Sequence, residues 1–146
     1  MSKNNTFETE LLQLIFNNVD IADIGDAGGL QNSATAGSLY LALHTGDPGE
    51  AGTATTNEAA YGSYARVAVA RTVGGWTVSG STASNTALVQ WPECTSGSET
   101  ITHLSVTTAS SGASKILYTG ALTASRAIST GIQPQAAATS IQITED

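Results

Sequence analysis

Ser38-Leu39-Tyr40-Leu41-Ala42-Leu43-His44 alternates along the chain: Leu39, Leu41 and Leu43 point one way, and Tyr40, Ala42 and His44 the other. Successive side chains of an extended backbone leave opposite faces, so this period of two predicts a half-buried strand. The strand runs into Thr45-Gly46-Asp47-Pro48-Gly49-Glu50-Ala51-Gly52, where proline holds φ and the glycines admit positive φ, so the chain must turn. From there to about Gly62 the reading is a long, exposed loop.

Downstream, the same alternation predicts a strand over 64–71, with Val67 and Val69 on one face and Arg66, Ala68 and Ala70 on the other. Gly74-Gly75 then leads to Trp76-Thr77-Val78, the pattern of a hairpin. Further strands are expected over 84–91, 100–107, 115–122, 126–129 and 139–144, each bounded by Gly, Pro, Ser or Asn. An α/β fold would need helices between the strands. The pattern therefore predicts an all-β protein, an antiparallel β-sandwich of which a jelly roll is one form.

Upstream the period changes. Phe7, Leu11, Leu14 and Ile15 fall at i, i+4, i+7 and i+8, and Asn5 with Glu8 has the spacing of a capping box. A short amphipathic helix is expected over 6–17, ended by Asn17-Asn18, and then a loop or linker to Gly37 with a hinge near Gly28-Gly29. This divides the chain into an N-terminal helix and linker arm, 1–37, and a β-sandwich domain, 38–146. The helical stripe has two readings: it covers one end of the sandwich, or it docks into a neighbouring subunit. Phe7, Leu11, Leu14 and Ile15 are the candidate protein-interaction residues.

The 146 residues amount to one domain, and only 12% are charged, while Ser and Thr together number 37. Twelve acidic against five basic residues give a net charge of -7, a field that repels phosphate backbones and argues against nucleic acid as a partner. Cys94 is the single cysteine, so an intrachain disulfide and a thiolate zinc cage are both excluded. No window approaches the roughly 18 apolar residues needed to span a bilayer, and the first residues lack a basic stretch before an apolar run. Neither a secretory leader nor a membrane partner is expected.

The histidines, His44 and His103, could be drawn into a triad with Asp47 and a serine, but no G-x-S-x-G elbow occurs. The structural reading places His44 at a strand end, where its ring bonds a carboxylate or a main-chain carbonyl, and His103 mid-strand with its ring half covered. Asp20, Asp23 and Asp26 gather oxygen ligands, but their spacing misses the calcium loop and its closing glutamate; they read as a solvated acidic arm. Gly28-Gly29 and Gly74-Gly75 lack the context of phosphate cradles, and Cys94 reads as an inert thiol at a strand end. The other carboxylates scatter, and a sugar site on a loop rim stays open. The expectation is a chain that is not an enzyme, with no catalytic residue, no cofactor and no metal.

The run from Leu39 through Gly52 resembles the opening strand and turn of small tailed-bacteriophage structural proteins often labelled tail fibre proteins. Other parts of the pattern recur in order: Asn57-Glu58, Tyr64-Ala65-Arg66-Val67-Ala68-Val69, Trp76, Asn85, Ile101-Thr102-His103 and Ile116-Leu117-Tyr118-Thr119-Gly120-Ala121-Leu122. The resemblance implies a non-enzymatic virion component made in the bacterial host cytoplasm. Long fibres are built on repeats or heptads, and the chain has neither, which favours a compact subunit. The first reading is therefore a capsid decoration or cement protein that binds and stabilises the major capsid protein lattice as a homo-dimer or trimer. The alternative is a tail fibre or tail-tip associated, receptor-binding protein, with other virion proteins as partners.

Overall fold

The computed structural model describes residues 2–146; it is mostly strand in antiparallel ladders with one short helix, consistent with the all-β sandwich class. The helix α1 is Asn5–Asn17. The strands are Ser38–His44 (β1), Val67–Ala70 (β2), Trp76–Ser79 (β3), Thr82–Asn85 (β4), Val89–Gln90 (β5), Ser98–Thr107 (β6), Ile116–Ser129 (β7), Gln135–Ala136 (β8) and Gln142–Thr144 (β9). Two compact units divide the chain. Unit 1 joins the stretch up to Ser38 with Val69–Leu88 and Ala136–Asp146; unit 2 joins Leu39–Ala68 with Val89–Gln135.

Unit 1 holds α1 and the sheet β3-β4-β9. The N-cap of α1 is Asn4, whose side chain accepts from the Thr6 N–H at 2.9 Å. This lies one residue before the expected cap, so Glu8 is one position too late for a capping box. Asn18 ends the helix in the left-handed region, with φ 57°, and its N–H bonds the Gln13 carbonyl. The face buried in the unit is Glu8, Leu12 and Phe16, whereas Phe7, Leu11, Leu14 and Ile15 are half-buried. Apolar side chains cover more than half of this helix's circumference, so their spacing alone does not say which arc meets the sheet. Leu12 and Phe16 win because Phe16 stacks on the fully buried Trp76, with ring centroids 4.7 Å apart and tilted by 55°.

The stretch after α1 is fastened to its own unit. Ile21 and Leu30 exchange two main-chain hydrogen bonds of 3.0 and 2.8 Å, and Ile21 is buried. The Arg71 guanidinium donates to the carbonyls of Leu14 (2.6 Å), Ile15 (2.7 Å) and Ala36 (3.2 Å) and to the Ser33 hydroxyl (3.3 Å). A cation on the last-turn carbonyls also opposes the negative end of the helix dipole.

The hairpin expected across Gly74-Gly75 does not form. The Thr72 carbonyl accepts from both Gly75 and Trp76, a turn that stops β2, and β3 instead folds onto β4 with Trp76 opposite Asn85 and Ser79 opposite Thr82. The strand expected over 84–91 breaks because Asn85, fully buried, turns its side chain to the main chain. Its Nδ2 donates to the Ala87 and Ala137 carbonyls, and its Oδ1 accepts from the Ile141 N–H, all within 2.9 Å. The strand expected over 139–144 shortens to β9, since Thr139 sits at φ 63°.

Unit 2 carries the sheet of order β2-β1-β6-β7, with β2 running on into unit 1. β1 pairs antiparallel with β6 from Tyr40↔Thr107 to His44↔His103. Leu41, Ala42, Leu43 and His44 are all buried, so the second half of β1 has no solvent face, unlike the half-buried strand its alternation predicts. The two strands expected over 115–122 and 126–129 are one strand, β7. Its ladder with β6 is interrupted where Ile101↔Arg126 gives way to His103↔Ala121, leaving residues 122–125 opposite Thr102 alone.

The contrast on α1 is measurable. Phe16→Ala is expected to lower unfolding stability by about 3–5 kcal/mol, since it opens a cavity beside Trp76, and Phe7→Ala by less than half as much. Urea denaturation of the two variants against the parent chain checks the difference.

Candidate functional site

The loop that begins at Thr45 is not the free, exposed segment its composition suggests. Pro48, Ala54, Ala59 and Tyr61 are buried along it, and the Ala54 N–H bonds the Ser114 carbonyl. Gly52 is needed for its tight course, because a Cβ there would lie 2.0 Å from the Pro48 carbonyl oxygen. Asn57, at φ 53°, donates from Nδ2 to the Asp47 carbonyl, and its own carbonyl accepts from Thr45, so the loop closes on the end of β1.

Arg66 is the centre of this region. Its Nε and Nη2 donate to the two oxygens of Glu58 at 2.6 and 2.8 Å, Nη1 to the Ala109 carbonyl (2.9 Å) and the Ser114 hydroxyl (3.1 Å), and Nη2 also to the Gly112 carbonyl (2.8 Å). All five guanidinium N–H groups are thereby used, and the side chain is 2% exposed. The hydrogen bonds it donates to Glu58 raise the Arg66 pKa further, against the opposing effect of burial. Tyr64 completes the cluster: its hydroxyl accepts from the Leu43 N–H (3.0 Å) and donates to Glu58 (3.1 Å), and burial pushes its pKa up. One carboxylate and one guanidinium thus join the 45–66 loop to the turn between β6 and β7.

His44, fully buried at the end of β1, donates from Nδ1 to the Thr56 carbonyl (2.9 Å) and accepts at Nε2 from the Ser105 hydroxyl (2.7 Å). The carbonyl partner is one of the two that the sequence allows. Burial lowers the His44 pKa from 6.5, outweighing the Thr56 bond and Glu58, with Arg66 and His103 adding to the lowering. His103 is half-buried on β6 and its Nδ1 meets the Thr102 hydroxyl. Glu99 braces the far end of the loop, accepting from the Ala60 and Tyr61 N–H groups at 2.9 Å. The Tyr61 hydroxyl donates to the Pro92 carbonyl, and burial pushes its pKa up to about 12.

The other sequence candidates stand apart. Asp47 accepts from the Gly49 N–H and takes no part in the His44 contacts. Asp20 accepts from the Asn32 N–H, and Asp26 from the N–H groups of Gly28 and Gly29. Among the described residues no three His, Cys, Asp or Glu side chains are grouped as a metal site. Cys94 is buried, its thiol directed at the Ser96 carbonyl. The half-buried Phe7, Leu11, Leu14 and Ile15 lie together along α1 in unit 1, which also displays exposed Val19, Ile24, Leu30, Val73 and Leu88. Glu58, Arg66, Tyr64, Ser105 and Glu99 were missing from the sequence candidates. Their signal is faint: opposite charges at Glu58 and Arg66 flank a turn with Tyr64 between them, a spacing that no standard motif names.

Two consequences follow from the buried polar groups. Arg66→Met leaves Glu58 without its cation and takes the guanidinium donors from the Ala109 and Gly112 carbonyls and the Ser114 hydroxyl, and is expected to cost about 3–5 kcal/mol in urea unfolding. His44 is neutral in the folded chain, whereas the unfolded chain binds its proton near 6.5. Its contribution is therefore full above pH 6.5 and is lost as pH falls below that value. Thermal melts between pH 7.5 and 5 are expected to show a falling Tm for the parent chain and a flatter profile for His44→Asn.

Across this whole architecture the sequence matches the family model described as podophage GP4 fiber I protein gp80, over residues 3–144. No curated protein matches the chain. With nearly its full length inside that match, the chain belongs to the podophage GP4 fiber I protein gp80 family.

Proposed function

We propose that the protein is a non-enzymatic structural component of a bacteriophage virion, associated with a tail fibre, and that its partners are other virion proteins. The observation that carries this reading is the family match over residues 3–144 to a phage fibre protein. It reverses the order of the two readings drawn from the sequence, putting the fibre ahead of the capsid decoration. The geometry supports a building block. The chemically capable side chains of unit 2, Glu58, Arg66, His44 and Glu99, are turned onto main-chain groups or each other, and what they produce is a loop of defined shape. Rigid loops on a strand scaffold are a usual way to present a binding surface.

Immunogold labelling of intact virions with antibody raised against the chain tests the location. Label is expected on the tail, at or beside the fibres. Label spread over the head would overturn the fibre reading and restore the capsid one.

A further inference from the structure

We propose that the outer edge of β7 over residues 116–121 takes an added strand from a different protein, an extended segment with β-branched apolar residues at its centre and a carboxylate at each end. Such pairing goes beyond the fibre assignment, which this edge neither requires nor tests. β7 ends its sheet, so one row of its main-chain N–H and C=O groups points away from β6. Edge strands are commonly blunted by a lysine, a bulge or a proline. Here Lys115 and the 122–125 interruption stand at the two ends, and the stretch between them has no proline and one extra residue, Leu117, in its ladder. Main-chain hydrogen bonding along an open edge is the usual basis of strand addition.

Charge identifies the occupant. Of the five basic residues, Lys3 pairs with Glu145 at 3.2 Å, and Arg66 and Arg71 are engaged by the acceptors described above. Lys115 and Arg126 are exposed, and neither side chain has an ion pair or hydrogen bond among the described residues. Both flank the open stretch. No acidic residue occurs between Thr100 and Thr144, and Glu99 on β6 is turned onto the Ala60 and Tyr61 N–H groups. In a chain of net charge -7, this edge is therefore locally cationic. The Lys115 carbonyl accepts from Thr108 and Arg126 lies opposite Ile101, so the two cations stand seven residues apart along β6, about 23 Å at roughly 3.3 Å per residue. A segment with carboxylates at positions i and i+7 meets both. A second copy of β7 has no carboxylate to offer.

The middle of the edge suits an apolar strand. Ile116, Leu117, Tyr118 and Leu122 are all half-buried. Neighbouring residues of a strand leave opposite faces, so both faces of the edge keep apolar surface that an adjacent strand would cover. Gly120 is exposed and needs no left-handed backbone, and a Cβ on it would meet nothing within 4 Å, so the chain's own fold does not demand glycine there. Glycine weakens a strand and marks places where another backbone or a large side chain comes close. A bulky partner side chain laid over an edge glycine is a favourable cross-strand pair.

Fluorescence anisotropy of labelled, end-blocked synthetic peptides titrated with the full chain tests the pairing. The probe Glu-Thr-Val-Thr-Val-Thr-Val-Glu is expected to bind, and the same probe with lysine at both ends is not. The double variant K115E/R126E, altered only at exposed side chains, is expected to keep the parent Tm, to bind the glutamate-ended probe about tenfold more weakly and to gain the lysine-ended one. N-methylation of alternate amides separates a ladder from simple charge attraction: the set that faces β7 is expected to abolish binding and the other set to leave it intact. No binding of the glutamate-ended probe, equal binding of the two probes, unchanged affinity in the double variant, or an equal effect of the two methylated sets would each overturn the proposal. Tighter binding of a probe copying residues 115–122 of this chain would do so too, because a second copy would then be the occupant. The probe comparisons on the parent chain remain decisive if the double variant fails to fold.

Discussion

The buried Arg66 guanidinium is the constraint around which unit 2 is organised. A cation at 2% exposure is tolerable only if every donor finds an acceptor, and the five acceptors come from three places: Glu58, the Ala109 and Gly112 carbonyls, and Ser114. Meeting that demand determines where the 45–66 loop ends, how Glu58 is aimed and how the turn between β6 and β7 is held. Glu58 then positions Tyr64, and Tyr64 accepts from Leu43 in β1. A single ion pair thereby ties a loop, a turn and a central strand into one hydrogen-bonded network.

Unit 1 uses the same device with Arg71. Its acceptors are main-chain and hydroxyl oxygens of α1 and of the stretch that follows it, so the cation fastens a helix end with no carboxylate at all. In a chain with five basic residues, two act as multi-point clamps on backbone carbonyls. Bulky apolar residues are few here, with Ala supplying 22 of the hydrophobic positions, so polar clamps set the conformation of segments that a larger core would hold by packing.

What the sequence disclosed followed from how local each determinant is. β1, the helix and its end at Asn18 are written in short-range periodicity and a residue that accepts left-handed φ, and they emerge where expected. β7 reads as two strands because residues 122–125 break its ladder, so the two halves were legible and their continuity was not. The pairing of β3 with β4, the breaking of the strand at Asn85 and the buried arc of α1 depend on partners far along the chain. Asn85 is held by Ala137 and Ile141, and Phe16 by Trp76. The Glu58–Arg66 pair was visible as residues but not as a pair, since eight positions apart in a loop corresponds to no fixed distance.

Ser105 and His44 show why geometry must be read together with setting. An Oγ to Nε2 distance of 2.7 Å is the length of a nucleophile and its base, but both residues are fully buried and the far ring nitrogen donates to the Thr56 carbonyl instead of a carboxylate. A neutral carbonyl gives little stabilisation to an imidazolium, and burial disfavours that charged form further. The contact consequently holds the imidazole in one tautomer and locks β1 against β6 and the loop. The same side chains that could serve a reaction if exposed act here as stays for the strands and the loop around them.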